Sequence, residues 1–185
     1  IMTGVATRVL VIGAESMTRI IDWTDRGTCI LFGDGAGAVV LEASTDASRG
    51  IESIVLEANG EFGPLLVTDG GVSSTKAAGH LFMQGQEVFR HGVEKMSASV
   101  PATLSKAGLT MADVNWIVPH QANARILDAT ARKLGLPAEK VIVTVDQHAN
   151  TSAASVPLAL DLAVRDGRIK AGDLVVLEEI GRAHV

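Results

Sequence analysis

The sequence predicts an α/β fold with a mainly parallel sheet covered by helices. Three observations carry that expectation. Strand-like and helix-like segments alternate from residue 115 onward, the connections between them are short, and Gly or Pro marks the helix ends. Composition agrees: aromatic residues are 3%, apolar residues 47%, and Gly numbers 19 in 185 residues, which suits helices packed closely on sheets through tight turns.

Residues 8–14 form a short apolar run ending in small residues and read as a buried strand; residues 29–32, Cys-Ile-Leu-Phe, read as another. Gly33, Gly35 and Gly37 follow in a G-x-G-x-G pattern. A dinucleotide loop needs G-x-G-x-x-G opening a helix, whereas here the apolar run 39–41 comes next, so a turn or strand bend is favoured over phosphate binding. Residues 44–50 are polar and read as a junction between two halves. Residues 51–58 predict a strand, and 59–79, rich in Gly, Ser and Thr, a long loop. Phe89, Val93, Met96, Val100 and Leu104 recur at steps of 4, 3, 4 and 4, one face of an amphipathic helix. Pro101 is expected to kink or interrupt it. The regular region then predicts strand 116–118, helix 123–134 stopped by Gly135 and Pro137, strand 141–145, helix 151–166 with Gly167 as its cap, and strand 174–177.

A chain of 185 residues fits one domain, and 16 Lys+Arg against 21 Asp+Glu gives a net charge of −5. No basic cluster marks a nucleic-acid footprint, and so few aromatics leave no base-stacking platform. One cysteine forms no internal disulfide, and no Cys/His group has zinc spacing. With no charged-then-apolar leader and no apolar run near the roughly 18 residues of a spanning helix, a cytoplasmic protein is expected.

His120 follows a strand and Pro119, and Asn150 follows the predicted strand 141–145; each stands just before a helix, on the rim where open α/β sheets bind ligands. They are 30 residues apart, one βα repeat, and adjacent strands would bring their corners to roughly 5 Å. A His Nε2 and an Asn amide aimed at one point make a donor pair for a developing oxyanion. The plainer alternatives are a solvated loop histidine and an Asn that caps a helix. His148 is a competitor beside Asn150 without an equivalent strand-end partner; His80, His91 and His184 are scattered and read as no ligand set. Cys29 lies among Ile30, Leu31 and Phe32 and reads as core rather than nucleophile.

Pro119-His120-Gln121-Ala122-Asn123, with His148-Ala149-Asn150-Thr151-Ser152-Ala153-Ala154-Ser155 downstream, resembles the active-site signature of the β-ketoacyl-[acyl carrier protein] synthase III family. Asp25-Arg26-Gly27-Thr28 and the segment 32–38 are similar to that family as well. The resemblance implies a thiolase-like fold of two pseudo-equivalent halves in an αβαβα arrangement. Residues 1–44 would end the N-terminal half and 45–179 would make most of the C-terminal half. It implies an acyltransferase that loads an acyl group, typically from acetyl-CoA, onto a cysteine and condenses it with decarboxylating malonyl-[acyl carrier protein] to initiate fatty-acid synthesis. Coenzyme A would enter as a thioester substrate, with no tightly bound cofactor and no metal. Acyl carrier protein and a second subunit would be the partners, without nucleic acid or membrane.

Under the same resemblance His120 and Asn150 are catalytic, Arg26 and Asn123 contact coenzyme A, and Gln121, Ala122, Asn123, Ala124 and Arg125 dock the carrier protein. Met83 and Phe89 line the acyl and pantetheine pocket. Two departures stand out. The family's nucleophilic cysteine lies upstream of Ile1, so the chain alone is expected not to turn over. Its Gly-rich turn after the last strand has no counterpart: residues 180–185 read like translated library adapter and are expected to be foreign, and Gly181 receives no role. Polyketide- or quinolone-type condensation, or a non-catalytic carrier-binding module, are the alternatives; retention of both His120 and Asn150 favours the enzyme.

Overall fold

The computed structural model describes residues 1–46, 48–71 and 73–180; residues 181–185 of the expected foreign tail lie outside the described residues. Strands β1 (Arg8–Ser16) and β2 (Asp34–Glu42) pair antiparallel over their whole length, Arg8 opposite Glu42 and Ser16 opposite Asp34. Gly35 and Gly37 are therefore part of β2, with Gly33 just before it, and form neither a turn nor a phosphate loop. Their purpose is close approach. A Cβ on Gly37 would come within 2.9 Å of Pro157 Cβ, and one on Gly13 would meet the Ala153 carbonyl oxygen at 2.6 Å, so only bare backbone lets the following helix layer settle onto this face. The opposite face carries exposed Leu10, Ile12 and Val40.

Residues 29–32 form turns rather than the expected strand; only Phe32 pairs, in a single parallel bridge to Asn150. Cys29 is partly buried against the cluster of Met17, Ile21 and Leu81. Residues 51–58 have no regular structure, and Ile51, Ile54 and Leu56 stay exposed, so no sheet partner or core rewards a strand there. The expected loop 59–79 instead holds β3 (Leu66–Thr68), paired antiparallel with β4 (Leu81–Met83).

Helix α1 (Gly85–Lys106) runs unbroken through Pro101. Buried Met96, Val100 and Leu104 lie on both sides of the proline, and burying such side chains at about 1.5–3 kcal/mol each outweighs the roughly 3 kcal/mol cost of an interior proline. β5 (Trp116–Pro119) leads to α2 (Ala124–Leu134), which Asn123 caps by accepting the Ile126 N–H at 2.9 Å and Gly135 closes at φ 66°. The expected strand 141–145 shrinks to one bridge, Val141 to Ile117, before the single-turn α3 (Val145–His148). α4 (Ser155–Arg165) follows, and β6 (Val175–Glu178) pairs parallel with β5, Pro119 opposite Glu178.

The core lies on both faces of this parallel sheet. Val100, Leu104, Val114, Ile117 and Val176 fill the side toward α1 and α2, and Val118, Ile142, Ala159 and Ala163 the side toward α4. α4 also packs on β2, so the layers run helices, sheet, helix, sheet. This is the α/β arrangement of helices covering a parallel sheet that the sequence predicts. Among the described residues no helix is long and apolar enough to cross a membrane.

Candidate active site

The parallel ladder ends at His120, whose N–H donates to the Glu178 carbonyl at 2.7 Å, so the sheet itself sets where the imidazole begins. The ring is buried, 7% exposed. Its Nδ1 lies 2.8 Å from Ser155 Oγ and 3.3 Å from Glu179 Oε1. Ser155 Oγ also accepts the Gln121 N–H at 3.1 Å. With Nδ1 engaged inside the protein, Nε2 is the nitrogen left for a substrate.

Asn150 is 8% exposed and held from two directions. Its N–H donates to the Leu31 carbonyl at 2.9 Å and its carbonyl accepts the Gly33 N–H at 3.0 Å, fastening it to the end of the turn before β2. Its side-chain oxygen accepts the Ser152 N–H at 2.9 Å. This bond reaches the backbone two residues on, at the turn before α4, and leaves the NH2 group as the side chain's available donor. Ala149 at φ 59° and Ser152 at φ 51° flank it in the left-handed region, each costing of order 1–3 kcal/mol. The two-sided tether holds that strained backbone, and Ser155 joins this segment to His120.

The other expected site residues divide. Gln121 is a correction: it is fully buried and its amide is consumed by backbone groups, so it presents nothing to a docking protein. Ala122 is half-buried against Met96, Ile126 and Leu127, and Asn123 is occupied as the cap of α2. Ala124 and Arg125 are exposed. Arg26 is exposed at the tip of a turn in which Asp25 accepts the Gly27 N–H at 2.9 Å and the Thr28 hydroxyl at 2.7 Å. Met83 is half-buried at the end of β4. Phe89 borders an open groove with Arg90, Val93, Glu94 and Lys133, and the structure does not bring it to His120 there.

Sequence reasoning passes over two residues. Ser155 looks like an ordinary helix start; its only signal is a small hydroxyl residue after two alanines in the second motif. Glu178 ends an apolar run, yet its carboxyl is buried beside Met96, Val100, Pro119 and Leu127, with Oε2 lacking a partner. Burial, and secondarily the charge of Glu179, push that carboxyl up to about 8. Among the described residues no acidic, His or Cys group is arranged to hold a metal.

Two buried polar side chains, His120 at the end of a parallel ladder and Asn150 bridged to Phe32 before β2, backed by a helix layer and a second sheet, define a thiolase-like protein. The family described as 3-oxoacyl-[acyl-carrier-protein (ACP)] synthase III matches residues 1–60, and its C-terminal counterpart matches 104–183, together most of the chain. A β-ketoacyl-[acyl-carrier-protein] synthase III of Rhizorhabdus wittichii is 65% identical over 178 residues, 96% of this chain and 56% of the relative. The crystal structure of 3-oxoacyl-[acyl-carrier-protein] synthase III from Aquifex aeolicus superposes with a TM-score of 0.90 at 42% identity, over 98% of this chain and 56% of that one. The Pseudomonas aeruginosa synthase III structure gives 0.91 at 39%, over 97% and 56%. The chain belongs to the β-ketoacyl-[acyl carrier protein] synthase III family and spans just over half the length of these relatives.

Proposed function

We propose that the protein is a condensing acyltransferase. It takes an acyl group from an acyl-CoA, typically acetyl-CoA, and joins it to malonyl-[acyl carrier protein] with loss of CO2, initiating fatty-acid synthesis. The observation that supports this best is that two buried side chains each have one polar atom engaged within the protein, which leaves His120 Nε2 and the Asn150 amide to donate. When the malonyl C–C bond to the carboxylate breaks, its electron pair moves into an enolate and charge gathers on the thioester oxygen. Fixed donors in a dry site stabilise that charge, each worth about 10²–10³ in rate. The carbanion then attacks the acyl thioester and the acyl-bearing thiolate leaves. In this reading that thiol belongs to the family's first half, and Cys29, packed against Met17, Ile21 and Leu81, is a core residue rather than its equivalent.

In this reading residues 1–44 close the N-terminal half and 45–179 make up the C-terminal half. The enzyme works in the cytoplasm as a homodimer, with coenzyme A as substrate and no resident cofactor. Arg26 and Asn123 meet the coenzyme A arm, Ala124 and Arg125 meet the carrier protein, and Met83 and Phe89 belong to the acyl and pantetheine path.

The test uses the protein at the full length of its relatives, with acyl-enzyme formation and CO2 release measured separately. His120→Ala and Asn150→Ala should each still accept labelled acetyl from acetyl-CoA and should fail to release CO2 from malonyl-[acyl carrier protein]. His148→Ala should keep most of its activity. Parent-like CO2 release by the Asn150 variant would leave that residue with its capping role alone.

A further inference from the structure

Ser155 is 1% exposed, at the first turn of α4. Its Oγ has two neighbours in hydrogen-bond range, His120 Nδ1 at 2.8 Å and the Gln121 backbone nitrogen at 3.1 Å. The backbone nitrogen can only donate, so it fills one lone pair of the hydroxyl oxygen. The single hydroxyl hydrogen is then free to point at Nδ1. A neutral imidazole that accepts at Nδ1 carries its own proton on Nε2. The opposing influence is Glu179, whose carboxylate oxygen lies 3.3 Å from the same nitrogen and would draw a proton onto it. Glu179 is the more distant of the two and its side chain is 35% exposed, so water screens its charge, whereas Ser155 acts without competition from solvent.

We propose that Ser155 is the positioning residue that holds His120 in its Nε2–H tautomer, making the outward nitrogen a donor toward substrate rather than an acceptor. This deepens the condensation reading and rests on it for its catalytic consequence, though not for the tautomer itself. The geometry also gives the backbone N–H of Gln121 a part in this arrangement. That N–H orients the hydroxyl, and the hydroxyl orients the ring.

The experiment pairs nitrogen-15 NMR of histidine-labelled, full-length protein with the two partial reactions. In the parent, the His120 signals should be those of an imidazole protonated on Nε2. Ser155→Ala should move the population toward Nδ1–H, with Glu179 as the remaining partner, and slow CO2 release about 10- to 100-fold, by analogy with the loss of the outer hydrogen-bond partner of a metal-bound histidine. Acetyl loading should be unchanged. Ser155→Thr keeps the hydroxyl and should restore both the tautomer and the rate. A parent ring protonated on Nδ1, or an Ala variant with an unmoved tautomer, overturns the proposal. A parent that shows the Nε2–H form, loses it in Ser155→Ala, and yet never releases CO2 supports the Ser155 assignment and overturns the condensation reading.

Discussion

The side-chain carbonyl of Gln121 accepts the backbone N–H of Thr144 at 2.7 Å, while the amide of the same side chain donates to the carbonyls of Pro119, at 2.8 Å, and Ile142, at 3.0 Å. One glutamine thus completes the ladder that the sequence would have assigned to a full strand at 141–145. It ties the corner bearing His120 to the corner leading to Asn150. Gln121→Leu should leave three buried backbone groups unpaired, each costing about 1–3 kcal/mol. The urea midpoint should fall by the equivalent of about 3 kcal/mol or more. Gln121→Glu should be at least as damaging, because a carboxylate would face two carbonyls. An unchanged midpoint with impaired use of carrier protein would restore the docking role.

Gly13→Ala tests the contact between the two layers. The new methyl would press on the Ala153 carbonyl, which belongs to rigid backbone rather than to a yielding side chain. Overpacking of this kind costs about 1–3 kcal/mol. The displaced turn is the one whose Ser152 N–H holds the Asn150 oxygen, so CO2 release should fall further than the melting temperature alone accounts for.

Glu178 should make stability fall as pH rises. Its folded carboxyl is pushed from 4.5 up to about 8, so it holds a proton in the folded chain over a range where the unfolded chain has lost it. The full contribution is present below about 4.5, declines by about 1.4 kcal/mol per pH unit, and is gone above about 8. Glu178→Gln should flatten this slope. Thermal melts at pH 5 should agree for parent and variant, and at pH 8 the variant should melt higher.

Arg125 sits in the first turn of α2, which has no acidic residue there. A cation at that end opposes the helix dipole by about 0.3–1 kcal/mol, an arrangement that local stability does not explain. Arg125→Glu should therefore leave the protein as stable or slightly more so. It should also raise the KM for carrier-bound malonyl and spare acetyl-CoA loading, since a basic rim acts mainly on encounter. Equal loss of both reactions would point to misfolding instead.

The parts of the fold legible in the sequence are those whose signals are local. Asn123 and Gly135 bracket α2 within a dozen residues, and the spacing of Met96, Val100 and Leu104 marks α1. The illegible parts depend on partners elsewhere. Residues 29–32 have strand composition, but only Phe32 finds an edge to pair with. The glycines of β2 read as a turn or strand bend until Pro157 arrives 2.9 Å from where a Cβ on Gly37 would be. The strand-end position of His120 is legible in the sequence, but the strand expected before Asn150 is a single bridge at Val141, and the buried partners of Ser155 and Gln121 carry no local signal. Polar side chains that end up fully buried are distinguished only by the groups they meet.

The bridge between Phe32 and Asn150 joins segments far apart along the chain. Closing so long a loop carries a large entropic cost that local contacts do not offset, and contacts of this kind form late in folding. Helices α1 and α2 can assemble on their own neighbours well before that closure. The surroundings of Asn150 would then be the last to mature, so a refolding chain should regain its helical signal before it regains the bridge to Phe32.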